Sequence, residues 1–90
     1  MLRLEDREIE RRLAALPGWQ RHGAEIRRTF AFADFAAALA FVNRVGALAE
    51  AANHHPDIDI RYSKVTLVLS THDAGGLTAR DFALAEKIGA

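Results

Sequence analysis

Five side chains of the kind that move protons lie in the second half of this 90-residue chain: Glu50, His54, His55, His72 and Asp81. Histidine has an ordinary pKa of about 6.5, so an imidazole can give or take a proton near neutral pH. A carboxylate can fix the tautomer of such a ring, or it can bind the N–H donors of a heterocycle. These residue types predict a proton-transfer site, and they leave the role of each carboxylate open.

Each of these residues also has a plain structural interpretation. A histidine at the end of a helix can compensate the helix dipole, and Glu50 can be a solvated helix residue. Asp81 stands three residues after Thr78, the spacing of a capping box. His22 falls in a predicted turn, and nothing indicates a function for it.

A metal site is the second functional interpretation. Three histidines and a carboxylate match the ligands of zinc and non-haem iron centres. The spacing does not favour this reading, because the chain has no H-E-x-x-H motif and no cysteine. We therefore expect neither a metal ion nor another cofactor.

The elements that position these residues follow from periodicity. The sequence predicts helices over residues 6–16, over 35–52 and after Thr78. It predicts strands over 19–22, 25–32, 57–62 and 64–71. Strand pairs joined by short turns imply an antiparallel sheet. The prediction is one α+β domain over residues 1–90, with a four-stranded antiparallel sheet, helices packed on one face and the order α-β-β-α-β-β-α.

The central helix carries the first part of the candidate site. Asp34 is a favoured N-cap, and Pro56 ends the helix because a residue before proline is driven away from the α region. If the helix continues as far as His54, Glu50 and His54 share one face. The stripe expected to face the sheet is Phe35, Leu39, Val42, Gly46 and Ala49. His72 is expected at the far end of the last strand.

Composition limits the partners. Twelve basic and twelve acidic residues balance, so the chain lacks the basic field of a nucleic-acid binder. No secretory signal is visible, and the longest apolar run, 35–42, is shorter than the roughly 20 residues of a membrane span. We expect a cytoplasmic protein without a membrane partner. A core this small favours a homodimer or homotetramer.

The segment from Glu50 to Asp81 resembles the signature of the pterin-4a-carbinolamine dehydratases. That family has an acidic or similar residue, three positions, His-His-Pro, an aromatic, a further histidine and then an aspartate. The matching positions here are Glu50, His54-His55-Pro56, Tyr62, His72 and Asp81. One departure is Ile58, where many members have an aromatic residue that can help to stack the pterin.

The resemblance implies a metal-free dehydratase that removes water from 4a-hydroxytetrahydropterin to give the quinonoid dihydropterin. By this carry-over, His54 and His72 are the acid/base pair, and His55 contacts the substrate and assists. Glu50, Pro56 and Asp81 are the substrate-binding candidates, Asp81 acting from behind the residues that touch the pterin. The family also includes protein-binding and assembly factors, so a non-catalytic role is the alternative.

Overall fold

The computed structural model describes residues 2–89, and this part of the chain forms a single antiparallel sheet with helices on one face. The elements are α1 Asp6–Leu13, β1 Gln20–His22, β2 Glu25–Ala31, α2 Phe35–Ala52, β3 Asp57–Arg61, β4 Lys64–Leu69, a 3₁₀ turn His72–Ala74 and α3 Ala79–Gly89. The four strands lie in the order β1-β2-β4-β3, and every neighbouring pair is antiparallel. The predicted fold class and element order are confirmed.

The core lies between the sheet and the helices. Along β4, Val65, Leu67 and Leu69 are fully buried, whereas the alternate residues face the other side of the sheet and are partly or fully exposed. From the last helix, the buried apolar side chains are Phe82, Leu84, Ala85 and Ile88. The candidate site lies at one end of these two elements, where β4 stops and α3 begins.

The central helix has the predicted ends, but its predicted buried face is only partly correct. Asp34 caps it, since the Ala37 N–H donates to Asp34 Oδ1 at 2.8 Å. The stripe that packs inward is Ala38, Phe41, Val45 and Ala49. The prediction that Phe35 and Leu39 face the sheet is wrong, because these side chains are 46% and 38% exposed.

α2 is also the one helix in the described chain that is long and apolar enough to cross a membrane, with a mean hydropathy of 1.3. Its alanine content raises the mean although Asn43, Arg44 and Glu50 interrupt the apolar sequence. Length and composition do not separate a membrane span from a helix that packs on a sheet. In this fold α2 packs on the sheet.

β3 is an open edge of the sheet. Its register places Ile58 beside Leu67 and Ile60 beside Val65. Leu67 and Val65 are completely buried, yet Ile58 and Ile60 remain 38% and 39% exposed. The sheet therefore ends in a strand whose apolar residues are only half covered.

Candidate active site

Three chain segments meet to form a small cavity: the end of α2, the end of β4 with the following turn, and the start of α3. The cavity has a volume of about 230 Å³ and is lined by Asn53, His54, His55, Ser70, Thr71, His72, Asp73 and Arg80. The fold thus brings together the three predicted histidines, which come from two segments 17 residues apart or more. Two larger clefts, of about 600 and 510 Å³, lie along α1 and contain no histidine.

His54 is the most strongly held of the three histidines. It is only 7% exposed, and its Nε2 lies 2.6 Å from Asp81 Oδ1. Nδ1 has no hydrogen-bond partner in the described chain, and this nitrogen is accessible rather than buried. His54 lines the cavity, and the Asp81 carboxylate holds the Nε2 side of its ring.

Asp81 lies behind His54 and is completely buried. Its Oδ2 accepts hydrogen bonds from the Thr71 hydroxyl at 2.8 Å and from the Thr78 N–H at 2.9 Å. The second bond confirms the predicted capping interaction at the start of α3. Oδ2 therefore caps the helix while Oδ1 contacts the histidine, so the cap does not prevent Asp81 from contacting His54. Asp81, one of the predicted substrate-binding residues, contacts His54 and does not line the cavity.

Glu50 pairs with His55 rather than with His54, the histidine that helical spacing placed on the same face as Glu50. α2 ends at Ala52, and Asn53 adopts the left-handed conformation with φ of 49°. The chain turns there, so His54 leaves the helical face that Glu50 occupies. Glu50 Oε2 instead pairs with Nε2 of His55, at an exposed position.

His72 reaches the cavity from a 3₁₀ turn. β4 ends at Leu69, two residues earlier than predicted, and His72 is the first residue of the turn. Its side chain is exposed, in contrast to that of His54. Pro56 is half-buried and Tyr62 is 71% exposed, and neither lines the cavity.

Arg80 is a residue of the site that the sequence reasoning did not identify. Its guanidinium donates to the carbonyl oxygens of Ala52, at 3.3 Å, and of Asn53. These are the last carbonyls before His54, so Arg80 joins the start of α3 to the end of α2. Its position directly before Asp81 was the only available signal.

The carboxylates and histidines do not gather in the way that a metal ion needs. Within residues 2–89, no three His, Asp or Glu side chains come together as a group that could hold an ion. His54 and His55 each direct Nε2 at a separate carboxylate. Three imidazoles thus line the cavity, and two of them, those of His54 and His55, each pair with a carboxylate.

Comparison with known proteins gives consistent results over the whole chain. The family described as Pterin 4 alpha carbinolamine dehydratase matches residues 2–90. A relative from Roseiflexus sp. (strain RS-1), named "Putative pterin-4-alpha-carbinolamine dehydratase", is 64% identical, and the match covers 96% of this chain and 92% of that protein. A relative of the same name from Acidobacterium capsulatum is 58% identical, with 98% and 96% covered.

Two solved structures have a similar fold. The transcriptional coactivator/pterin dehydratase from Brucella melitensis superposes with a TM-score of 0.92 at 36% identity, covering 96% of this chain and 94% of that one. A pterin dehydratase-like protein, described as a RuBisCO assembly factor in the alpha-carboxysome, gives a TM-score of 0.64 at 25% identity, with 79% and 82% covered. The chain belongs to the pterin 4 alpha carbinolamine dehydratase family.

Proposed function

We propose that this protein dehydrates 4a-hydroxytetrahydropterin to the quinonoid dihydropterin, with His54 as the base and His72 as the acid. Family membership supports the reaction class, which is that of a hydro-lyase acting on a pterin. The observation that carries the assignment of roles is the 2.6 Å contact between His54 Nε2 and Asp81 Oδ1.

The reaction needs two proton transfers. The hydroxyl on C4a leaves as water only after a proton reaches its oxygen, and N5 loses its proton as the new double bond forms. One imidazolium and one neutral imidazole satisfy both demands, and the protein returns to its starting charge once protons exchange with solvent. No electron transfer and no covalent bond to the protein are required.

The surroundings of His54 favour its acting as the base. A carboxylate can only accept hydrogen bonds, so Nε2 carries the proton that is shared with Asp81. Nδ1 is then free to take the N5 proton. The imidazolium that results stays beside the buried Asp81 carboxylate, which stabilises its charge.

The exposure of His72 favours its acting as the acid. His72 is exposed and lines the same cavity, so solvent can protonate it again after each turnover. His55 is also exposed and stands next to His54, paired with Glu50. We assign the His55–Glu50 pair to binding the pterin, whose ring N–H groups suit a carboxylate acceptor.

The test is turnover of synthetic 4a-hydroxytetrahydropterin by the purified protein. His54→Ala and His72→Ala should each lower kcat by roughly 10²–10⁴-fold, the usual effect of losing a positioned acid or base. His22→Ala is the matched control, because His22 lies in β1 and does not line the cavity. Wild-type protein that is folded and gives no rate above buffer would refute the proposal.

A non-catalytic assembly role is the alternative function, and the open edge of the sheet is the observation that favours it. Ile58 and Ile60 on β3 are half exposed, as are Phe35 and Leu39 on α2. Exposed apolar residues at a sheet edge are typical of surfaces that pair with another chain. A folded protein without turnover that captures a partner would support this role over the enzymatic one.

The exposed apolar residues of β3 also support our proposal that the protein is a homodimer or homotetramer. Light scattering at micromolar concentration should give a mass of two or four times 9.9 kDa. Ile60→Lys should lower that mass by placing a charge on the uncovered face of β3. A monomeric wild-type protein would contradict the proposal. The expected cytoplasmic location stays a prediction.

A further inference from the structure

We propose that Thr71 is a positioning residue for both proposed catalytic histidines, through its hydroxyl for His54 and through its backbone for His72. This inference rests on the dehydratase function proposed above. Thr71 is 4% exposed and directly precedes His72. Its hydroxyl reaches the carboxylate that holds His54. Thr71 therefore connects two side chains that come from different parts of the chain.

The direction of each hydrogen bond in this cluster follows from chemistry. Asp81, as a carboxylate, only accepts, so the single Thr71 O–H proton must point to Asp81 Oδ2 at 2.8 Å. The Thr78 hydroxyl lies 2.8 Å from Thr71 Oγ1 and must donate to it. Thr78 Oγ1 in turn accepts from the Arg80 N–H at 3.3 Å. These hydrogen bonds therefore form a chain in which each group donates to the next, and the chain ends at the Asp81 carboxylate.

This direction determines how Asp81 can face His54. Oδ2 already receives the Thr71 hydroxyl and the Thr78 N–H, so Oδ1 is the oxygen available to His54. With both oxygens occupied, the carboxylate cannot rotate without breaking a buried hydrogen bond, which is costly. Removal of the Thr71 hydroxyl leaves Oδ2 with one donor, the Thr78 N–H, and lowers the cost of this rotation. The Nε2–H tautomer of His54 is then less strongly favoured over the Nδ1–H tautomer.

The backbone of Thr71 holds the turn that carries His72. Its N–H donates to the Gly76 carbonyl at 3.0 Å, and its carbonyl accepts from the N–H groups of Gly76 at 3.3 Å and Ala74 at 3.1 Å. The 3₁₀ turn is therefore closed at its base by Thr71. A shift of Thr71 changes the distance between His72 and His54, which the acid and base of one step must keep fixed.

Thr71→Val is the decisive variant, since valine replaces the hydroxyl by a methyl group of similar size. Thr71→Ser keeps the hydroxyl and should rescue. Thr66→Val is the matched control, because Thr66 makes the same 2.8 Å threonine–threonine contact, with Thr29, on the opposite face of the sheet. Two measurements are made on each protein: kcat and KM at varied pterin, and the imidazole ¹⁵N chemical shifts of His54 without substrate.

We expect Thr71→Val to lower kcat by roughly 10–100-fold, the usual cost of losing a group that orients a functional ligand or base, with KM within about threefold of wild type. The His54 shifts should move from a pure Nε2–H pattern to a mixture of tautomers. Thr71→Ser should restore both properties, and Thr66→Val should change neither. A purely structural role would not change the tautomer of a folded protein.

Several outcomes would overturn the inference. Folded Thr71→Val with wild-type kcat and wild-type ¹⁵N shifts would do so, as would a serine variant that fails to rescue. If the valine variant does not fold, the wild-type spectrum decides, because a His54 that carries its proton on Nδ1 contradicts the hydrogen-bond directions. Wild-type protein without turnover but with the Nε2–H tautomer would refute the dehydratase function and leave the His54 part of the inference standing.

Discussion

Replacement of Asp81 by asparagine tests how His54 is held, because it keeps the size of the side chain and removes its charge. In the wild-type protein both oxygens accept: Oδ2 from Thr71 and Thr78, and Oδ1 from His54 at 2.6 Å. An amide has one accepting oxygen and one donating nitrogen. Its oxygen should take the Oδ2 position, where two donors meet, so its NH₂ group faces His54. Nε2 must then accept, and the ring proton moves to Nδ1.

That tautomer cannot take a proton from N5 of the pterin. Asp81→Asn should therefore lower kcat by roughly 10²–10⁴-fold, as for loss of the base itself. The same substitution should lower the folding stability only modestly. Three hydrogen bonds to a charged acceptor become weaker or are lost, but the buried site no longer holds a charge. We expect a loss of about 1–2 kcal/mol, which lowers Tm by roughly 4–16 °C in a domain of this size.

The assay combines kcat at saturating pterin, thermal unfolding by circular dichroism and the ¹⁵N shifts of His54. Asp59→Asn is the matched control, because Asp59 lies on exposed β3 and its carboxylate accepts from the Arg61 side chain at 3.2 and 3.4 Å. It should leave all three measurements close to wild type. Folded Asp81→Asn that keeps kcat within threefold of wild type, or keeps the proton on Nε2, would refute the reasoning.

Three further predictions concern other parts of the molecule. His55→Ala should raise KM more than it lowers kcat, because His55 is exposed and paired with Glu50; a loss in kcat alone would contradict the binding role. Chelation should leave turnover and Tm unchanged; stoichiometric metal in untagged protein, with activity lost on its removal, would overturn the mechanism. Hydrogen bonds from Arg11 and Arg12 lower the pKa of Glu8 from 4.5 to about 2. This depressed pKa stabilises the fold above pH 4.5, and the contribution is lost as pH falls towards 2. Glu8→Gln should therefore reduce the fall in Tm between pH 4.5 and about 2 at low salt. A variant whose Tm falls as steeply as that of the wild-type protein would contradict this prediction.

The sequence predicted the elements well where a local signal was strong. Asp34 marks the start of α2 as an N-cap, and both ends of that helix are confirmed. The prediction of the buried face of α2 was wrong at Phe35 and Leu39, because eight of the 18 residues of the helix are alanine and mark no single apolar face. The predicted stripe and the observed one lie roughly 75° apart at 100° per residue, and an alanine-rich helix satisfies both. Contacts with the sheet decide between them, and these are not local.

Residue types and spacing predicted which histidines meet at the candidate site, but not how the histidines pair with the carboxylates. Glu50 and His54 are four residues apart, which places them on one face only while the helix continues. The left-handed Asn53 ends it one residue too early. His72 likewise leaves the strand pattern because Thr71 pairs with Gly76 and donates to Asp81, ten residues later. Such bonds join distant segments, so no periodicity along the chain reveals them.

Asp81 shows why the structural interpretation of a residue does not exclude the functional one. A carboxylate has two oxygens with about four acceptor positions, and capping α3 uses only one oxygen. The other oxygen holds His54. Because the cap fixes the carboxylate relative to the helix backbone, the histidine is held against a rigid element. Capping thus supplies the rigidity that the proposed role of His54 as a base requires, and the same side chain contributes to the stability of the fold and to the geometry of the candidate site.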